Sequence, residues 1–425
     1  MSHLLSTAQT HRSDGGPLNR RVRAAAHRLL GRLRQGELRL REAGEERVFG
    51  GAEGGASLGA RIDIHDPAVY RRLALGGSIG AAESYMDGDW DCDDLASLSR
   101  LLIRNEEVFG DLDRGSARLL RAFHLVAHRL RRNTRQRARR NIAEHYDLGN
   151  DFFESFLDPT LTYSAGIFES DQASLEDASV AKYERICRKL RMRPEDHVLE
   201  IGSGWGGFAL HAAGLHGCRV TTTTISRRQW EEARERVAEA GLQDRVTVLL
   251  EDYRNLSGSY DKLVSIEMIE AVGHEYLDDY FGTCCQRLDR DGAMLLQAIT
   301  VPDQRFDQSK RSVDFIKRYV FPGGCLPSVH AILDACKRRT DFQLVQLEDI
   351  TPHYAETLAR WHGRLRENAR RIRQRGYPEP LLRLWGFYLA SCQAAFAERY
   401  VADVQLTLVR PGFRGGAVLG RIGDG

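Results

Sequence analysis

The sequence predicts an α/β fold: a doubly wound, mostly parallel sheet with helices on both faces and a helical insertion, preceded by a small α+β domain. Three observations predict it. From about residue 190, short apolar runs alternate with helical segments, the order that builds a parallel sheet covered on both sides. The first run ends in the glycine-rich turn Gly202-Ser203-Gly204-Trp205-Gly206-Gly207 and passes directly into a helical segment. Before residue 110 the pattern differs, with glycine-rich turns around 50–59.

In chain order, residues 1–20 are polar, contain Gly15, Gly16 and Pro17, and are expected to form a disordered tail. Residues 21–112 read as the small N-terminal domain. Residues 113–140 read as a basic linker helix, with Leu119, Leu120, Phe123, Val126 and Leu130 near helical spacing. Residues 141–425 form the expected catalytic domain. Its strands are predicted at 197–201, 219–224, 245–250, 262–266, 293–300, 343–347 and 404–409. Helices are predicted at 208–215, 227–240, 276–288 and 329–339, and 353–400 is a helical insertion before the last strand.

A chain of 425 residues suffices for two or three domains. Its net charge of +2 says little about partners, but the distribution says more. Residues 114–140 carry ten arginines and no acid, and residues 360–375 carry seven arginines against Glu367. Such surface attracts anionic phosphates. No nucleic-acid recognition motif accompanies it, so the expected partner is a phospholipid membrane surface and not nucleic acid; a homodimer is left open. The eight cysteines show no C-x-x-C pair, read as free thiols in a reducing cytosol, and predict no metal site. The start lacks a signal-peptide apolar region, and no apolar run nears the roughly 18–20 residues of a spanning helix. The expectation is a cytoplasmic protein associated peripherally with the inner face of the membrane.

The glycines of the first turn let the backbone bend tightly and approach a ligand. Their spacing is not the G-x-G-x-x-G that seats a pyrophosphate, yet the turn alone does not separate a dinucleotide from S-adenosylmethionine (SAM). The second strand ends in Thr221-Thr222-Thr223-Thr224-Ile225-Ser226-Arg227-Arg228-Gln229, without the acid that often meets ribose hydroxyls; Thr224 and Gln229 are the polar candidates. The third ends in Glu251-Asp252-Tyr253. Asp252 suits an exocyclic adenine amine or a helix N-cap, and the two roles are compatible.

Together these features resemble the cyclopropane-fatty-acyl-phospholipid synthase and mycolic-acid methyltransferase family. The resemblance rests on Ser84-Tyr85-Met86-Asp87-Gly88-Asp89-Trp90, on His145-Tyr146-Asp147-Leu148-Gly149-Asn150-Asp151-Phe152-Phe153, and on Leu161-Thr162-Tyr163-Ser164. It continues through Thr224–Gln229, Glu267-Met268-Ile269-Glu270-Ala271-Val272-Gly273-His274 and Pro352-His353-Tyr354-Ala355-Glu356-Thr357-Leu358. It implies a class I SAM-dependent methyltransferase (Rossmann-like) fold and methyl or methylene transfer to the double bond of unsaturated acyl chains in membrane phospholipids. SAM would be held by Tyr163, Ser164, Gly202, Gly204, Thr224, Ile225, Gln229, Asp252 and Tyr253. A bicarbonate ion of that family would fall among Glu270, Ile299 and Tyr354. The family's cysteine and histidine positions are here Ala165 and Gln297, which puts bicarbonate and ring closure in doubt. Ala165 keeps its backbone donor, and Gln297 donates through its amide but takes up no proton.

An alkene is a weak nucleophile, so the reaction needs a strong electrophile, an aromatic site that stabilises a cation, and a base. Tyr163, Phe168, Trp205 and Tyr354 are the aromatic candidates. Glu270 is the candidate base and Glu267 its competitor. His145 is expected to cover the cofactor or shape the site, and His274 to be structural. A methyltransferase acting on a small soluble molecule, and a SAM- and lipid-binding protein without catalysis, remain alternatives.

Overall fold

The computed structural model describes residues 17–51, 58–109 and 148–415. The linker segment 113–140 and His145 lie outside them. The chain forms two compact units, one of which gathers the N-terminal residues with 312–320 and 365–400.

The N-terminal unit is α+β. Strands β1 (Glu37–Glu42), β2 (Glu45–Gly50), β3 (Gly59–Ile64) and β4 (Trp90–Cys92) form a sheet in the order β2-β1-β3-β4. β1 and β2 are a tight hairpin through Ala43 and Gly44, both at positive φ (50° and 84°), the twist a two-residue turn requires. Leu38 and Leu40 of β1 point inward while Arg39 and Arg41 face out, the two-residue period of a half-buried strand. The first helix, Pro17–Leu30, begins inside the expected tail; proline is tolerated there because a helix's first N–H has no partner. Helix Leu95–Arg104 is capped by Asp94, which accepts from Ala96 and Ser97 N–H.

The helical insertion is present as Thr351–Glu367, Ala369–Gln374 and Glu379–Ala397. Its last two helices, however, fall in the N-terminal unit and not in the expected catalytic domain. Ala390 joins the core of Leu38, Val69, Tyr70, Trp90 and Leu101. Arg383 donates to the Tyr85 and Trp90 carbonyls at 2.5 and 2.8 Å, and Arg100 and Arg104 both pair with Glu398. Burial of an apolar helix surface, sealed by charge-assisted bonds, overrides proximity in sequence.

The second unit holds a seven-stranded sheet: β5 (His197–Ile201), β6 (Arg219–Thr224), β7 (Val246–Leu250), β8 (Tyr260–Ile266), β9 (Leu288–Thr300), β10 (Gln343–Asp349) and β11 (Ala402–Val409). Their order is β10-β11-β9-β8-β5-β6-β7, with β11 antiparallel to both neighbours and β5 to β9 paired in parallel. Every predicted strand is present. β9 begins five residues before its expected start because Asp289-Arg290-Asp291 reads as a turn yet extends the strand. Consecutive residues face opposite layers. Val198 and Leu295 join Ile186, Phe208 and Val264 on one side, whereas Leu199 and Leu296 join Tyr280, Phe281 and Leu406 on the other. Strand order reverses between β5 and β8, which opens a crevice at the carboxyl ends of the strands. Among the described residues, no helix is long and apolar enough to cross a membrane.

Candidate active site

β5 delivers the glycine turn to that crevice. Gly202, Gly204 and Gly206 have φ of 99°, 49° and 87°, the region glycine enters without steric cost. Gly202 and Ser203 N–H both donate to the Thr223 carbonyl, at 3.1 and 2.9 Å, which fixes the turn against β6. A Cβ on Gly202 would lie 3.1 Å from the Met268 side chain, whereas one on Gly204 would meet no protein atom within 4 Å. The backbone at Gly204 therefore borders open space, as a cofactor cradle requires.

At the end of β6 the Thr224 hydroxyl donates to Gln229 Oε1 at 2.9 Å and accepts from Ser226 N–H at 3.1 Å. Ser226 in turn caps the helix Arg227–Glu239, and Ile225 sits half-buried between these anchors. Asp252 is an N-cap: it accepts from Arg254 N–H at 3.0 Å, and its carboxylate pairs with the Arg254 guanidinium at 2.6 Å. Tyr253 is buried edge-on against Tyr280, with ring centroids 5.4 Å apart. Ser164 accepts from Lys182 Nζ at 2.8 Å. Burial lowers the Lys182 ammonium to about 8, against the attraction of Glu267, Asp158, Asp403 and Glu200. Burial also pushes the Glu200 carboxyl up to about 8.

An aromatic wall runs from the turn. Trp205 is buried against Phe153, which meets Tyr163 edge-on; Tyr163 stacks on Trp361 at 5.3 Å, and Tyr354 stands perpendicular to Trp361 at 6.2 Å. Phe168 is not part of this wall; it stacks on His353 and lies under the Arg360 guanidinium. His274 is exposed in a short 3-10 turn.

The carboxylate at the centre is Glu267 and not the expected Glu270. Glu267 Oε1 accepts from Ala165 N–H and from Gln297 Nε2, both at 2.8 Å, and Oε2 accepts from the Tyr354 hydroxyl at 2.7 Å. Its backbone is left-handed, with φ 47°, and its N–H donates to the Gln297 carbonyl at 2.9 Å. Glu270 lies one 3-10 turn further on. Its Oε1 accepts from Ile299 N–H at 2.5 Å, while its Oε2 is buried without a hydrogen-bond partner. Burial, and then the Glu267 charge, push the Glu270 carboxyl up to about 8. The donors that would face bicarbonate, the Ala165 N–H, the Gln297 amide and the Tyr354 hydroxyl, are thus already engaged by Glu267. These residues do not fit a separate anion.

Behind Glu267, Gln297 Nε2 also lies 3.2 Å from Asp403 Oδ2, and Gln405 Nε2 donates to Gln297 Oε1 at 3.0 Å. Burial, followed by the charges of Glu267 and Glu270, holds the Asp403 carboxyl well above the usual range. Asp403 and Gln405, like Lys182 and Trp361, were missed from sequence. Two polar side chains at alternate positions of a buried apolar strand were the available signal for the first pair. Elsewhere in this unit the fold gathers Cys187, His211 and His216, although their chain spacing predicts no metal site.

The profile of the mycolic acid cyclopropane synthetase family matches residues 133–406. The tuberculostearic acid methyltransferase of Mycobacterium tuberculosis is 38% identical over 410 residues, covering 93% of each chain. The cyclopropane-fatty-acyl-phospholipid synthase of Escherichia coli is 36% identical over 355 residues, 82% of this chain and 87% of that one. Among solved structures, the cyclopropane synthase MmaA2 of Mycobacterium tuberculosis superposes with a TM-score of 0.60 at 30% identity, covering 64% of this chain and 98% of its own. The mycolic acid cyclopropane synthase CmaA1 complexed with SAH and CTAB gives 0.59 at 31% identity, with the same coverage.

Proposed function

Since the chain belongs to the mycolic acid cyclopropane synthetase family and is a SAM-dependent methyltransferase, we propose that it alkylates the double bond of unsaturated phospholipid acyl chains with Glu267 as its built-in base. The single observation that carries this is the convergence of Ala165, Gln297 and Tyr354 on the Glu267 carboxylate. The glycine turn, the Thr224–Gln229 pair and the Tyr163–Ser164 segment are the residues that would hold SAM, which when bound supplies an electrophilic sulfonium methyl.

Alkylation of an alkene leaves positive charge on the neighbouring chain carbon. The faces of Tyr163, Trp361 and Tyr354 stabilise such charge by cation–π attraction and exclude water that would capture it. Glu267 then accepts the proton that the cation must lose. Its three donors orient the carboxylate, while burial holds its proton affinity above that of an ordinary glutamate. Loss of that proton from the new methyl closes a ring; loss from a chain carbon leaves an open-chain methylated product. The ring-closing set of the resembling enzymes is altered at Ala165 and Gln297, and Glu267 takes up its donors. We therefore read the product as open-chain, in keeping with the relatives named as methyltransferases. Mass spectrometry and NMR of lipids from cells expressing the protein test this: a methyl branch on a retained chain double bond is expected, and cyclopropane as the main product overturns it.

Docking to an anionic membrane surface from the cytoplasmic side belongs to the same proposal. Arg366, Arg370 and Arg371 are exposed and support it. Arg360 and Arg373 contribute less, because they pair with Glu356 and Glu379.

A further inference from the structure

Two helices of the catalytic unit, Leu175–Leu190 and Gly207–His216, bring together side chains that the reaction does not use. One ligand atom from each of Cys187, His211 and His216 lies within 4.8 Å of the other two. Glu184, one turn before Cys187, reaches both rings: its Oε2 is 2.9 Å from His216 Nε2 and 3.4 Å from His211 Nε2. Arg188 holds the other carboxylate oxygen at 2.7 Å. Cys187 is fully buried, His211 nearly so, and the His216 side chain, 20% exposed, is the point of access.

We propose that Cys187, His211 and His216 bind a zinc ion that clips these two helices together. A thiol and two imidazoles are the donor set of zinc and not of magnesium or calcium, which take oxygen ligands. Bond lengths of about 2.0–2.3 Å in a tetrahedral site separate neighbouring ligand atoms by about 3.3–3.6 Å. The present spacing, at most 4.8 Å, is within about 1.5 Å of that. Glu184 supplies the carboxylate–imidazole contact that commonly orients metal-binding histidines. An ion pair between the helices would need one histidine; two imidazoles on one carboxylate, with a thiol beside the rings, exceed it. On binding, the thiol proton leaves to solvent as the sulfur–zinc bond forms, and the fourth position stays open to water beside His216. The second helix is capped at Gly206 of the cofactor turn, so the clip would fasten the helix that leaves that turn. This inference does not depend on the identity of the acyl product.

The test uses the full-length protein, stripped with a chelator and titrated with zinc by calorimetry, with metal content measured after gel filtration. About one zinc per chain and a raised melting temperature are expected. Cys187→Ser and His216→Gln each remove a ligand and should weaken binding by more than the about 10–100-fold lost with an outer-shell partner, and cobalt should give a thiolate charge-transfer band that Cys187→Ser abolishes. Cys285→Ser, at a partly exposed cysteine outside the cluster, should bind like the parent. Circular dichroism of the metal-free variants separates lost binding from lost folding, and His216→Gln, at the accessible edge, serves if Cys187→Ser does not fold. Absence of zinc binding by the stripped parent, or unchanged affinity in folded variants, overturns the proposal.

Discussion

The backbone N–H of Ala165 donates to the carboxylate of Glu267 across 2.8 Å, although 102 residues separate them in the chain. The left-handed backbone at Glu267 is one that glycine adopts freely and that costs another residue about 1–3 kcal/mol. A carboxylate held there at such a cost points to function. Glu267→Gln, which keeps shape and removes basicity, should lower turnover about 10²-fold or more with SAM affinity little changed. Near-normal turnover removes Glu267 from the mechanism.

Glu267→Gly relieves the backbone strain and frees the Ala165, Gln297 and Tyr354 donors. Small carboxylates such as formate, or bicarbonate, should then restore part of the lost turnover in a saturable way. Combining it with Ala165→Cys and Gln297→His should move the product towards cyclopropane in a bicarbonate-dependent manner. The three positions share one carboxylate, so their effects should be non-additive. A parent enzyme that already requires bicarbonate would count against this account.

Gly204 borders open space at φ 49°. Gly204→Val carries a backbone penalty and places its Cβ, which would meet no protein atom within 4 Å, where the cofactor is expected. SAM affinity should fall at least about tenfold, equivalent to about 1.4 kcal/mol, in a variant that still folds. Calorimetry showing unchanged affinity would mean the cofactor lies elsewhere.

The Glu270 carboxyl, raised to about 8 from an ordinary 4.5, holds in the fold a proton that the unfolded chain releases. Its contribution to stability is complete below about pH 4.5 and is lost as pH rises towards 8. Glu200 acts with the same sign, while Lys182, lowered to about 8, acts oppositely and only above that pH. The melting temperature of cofactor-free protein should therefore fall between pH 5.5 and 8, and Glu270→Gln should flatten the slope. An identical slope in the variant would exclude Glu270 as its source.

Membrane docking through exposed arginines should weaken with salt, since screening lengths shorten to roughly 8–10 Å near physiological ionic strength. Replacing Arg366, Arg370 and Arg371 together with glutamine should lower affinity for anionic vesicles on the order of 10²-fold, at about 1 kcal/mol per charge removed. Salt-independent binding to vesicles, or binding equal to the parent's, rejects this surface.

By itself the sequence determined the elements and the cofactor turn. Runs such as His197–Ile201 and Arg219–Thr224 have strand length and apolar or β-branched side chains, and the Gly202–Gly207 turn is written in consecutive residues, so local chemistry suffices to read them. It also named Ala165, Gln297 and Tyr354 through motifs. Only the tertiary structure decided which carboxylate they serve. Glu267 and Glu270 are three residues apart and chemically identical; a left-handed backbone at one of them aims its side chain at donors from three distant segments. The same holds for Cys187, His211 and His216, which meet because two helices pack, and for Glu379–Ala397, whose core lies with the N-terminal unit. Periodicity records which side of an element is apolar, but not which distant surface covers it, because burial is non-directional and is settled by the packing of the whole chain.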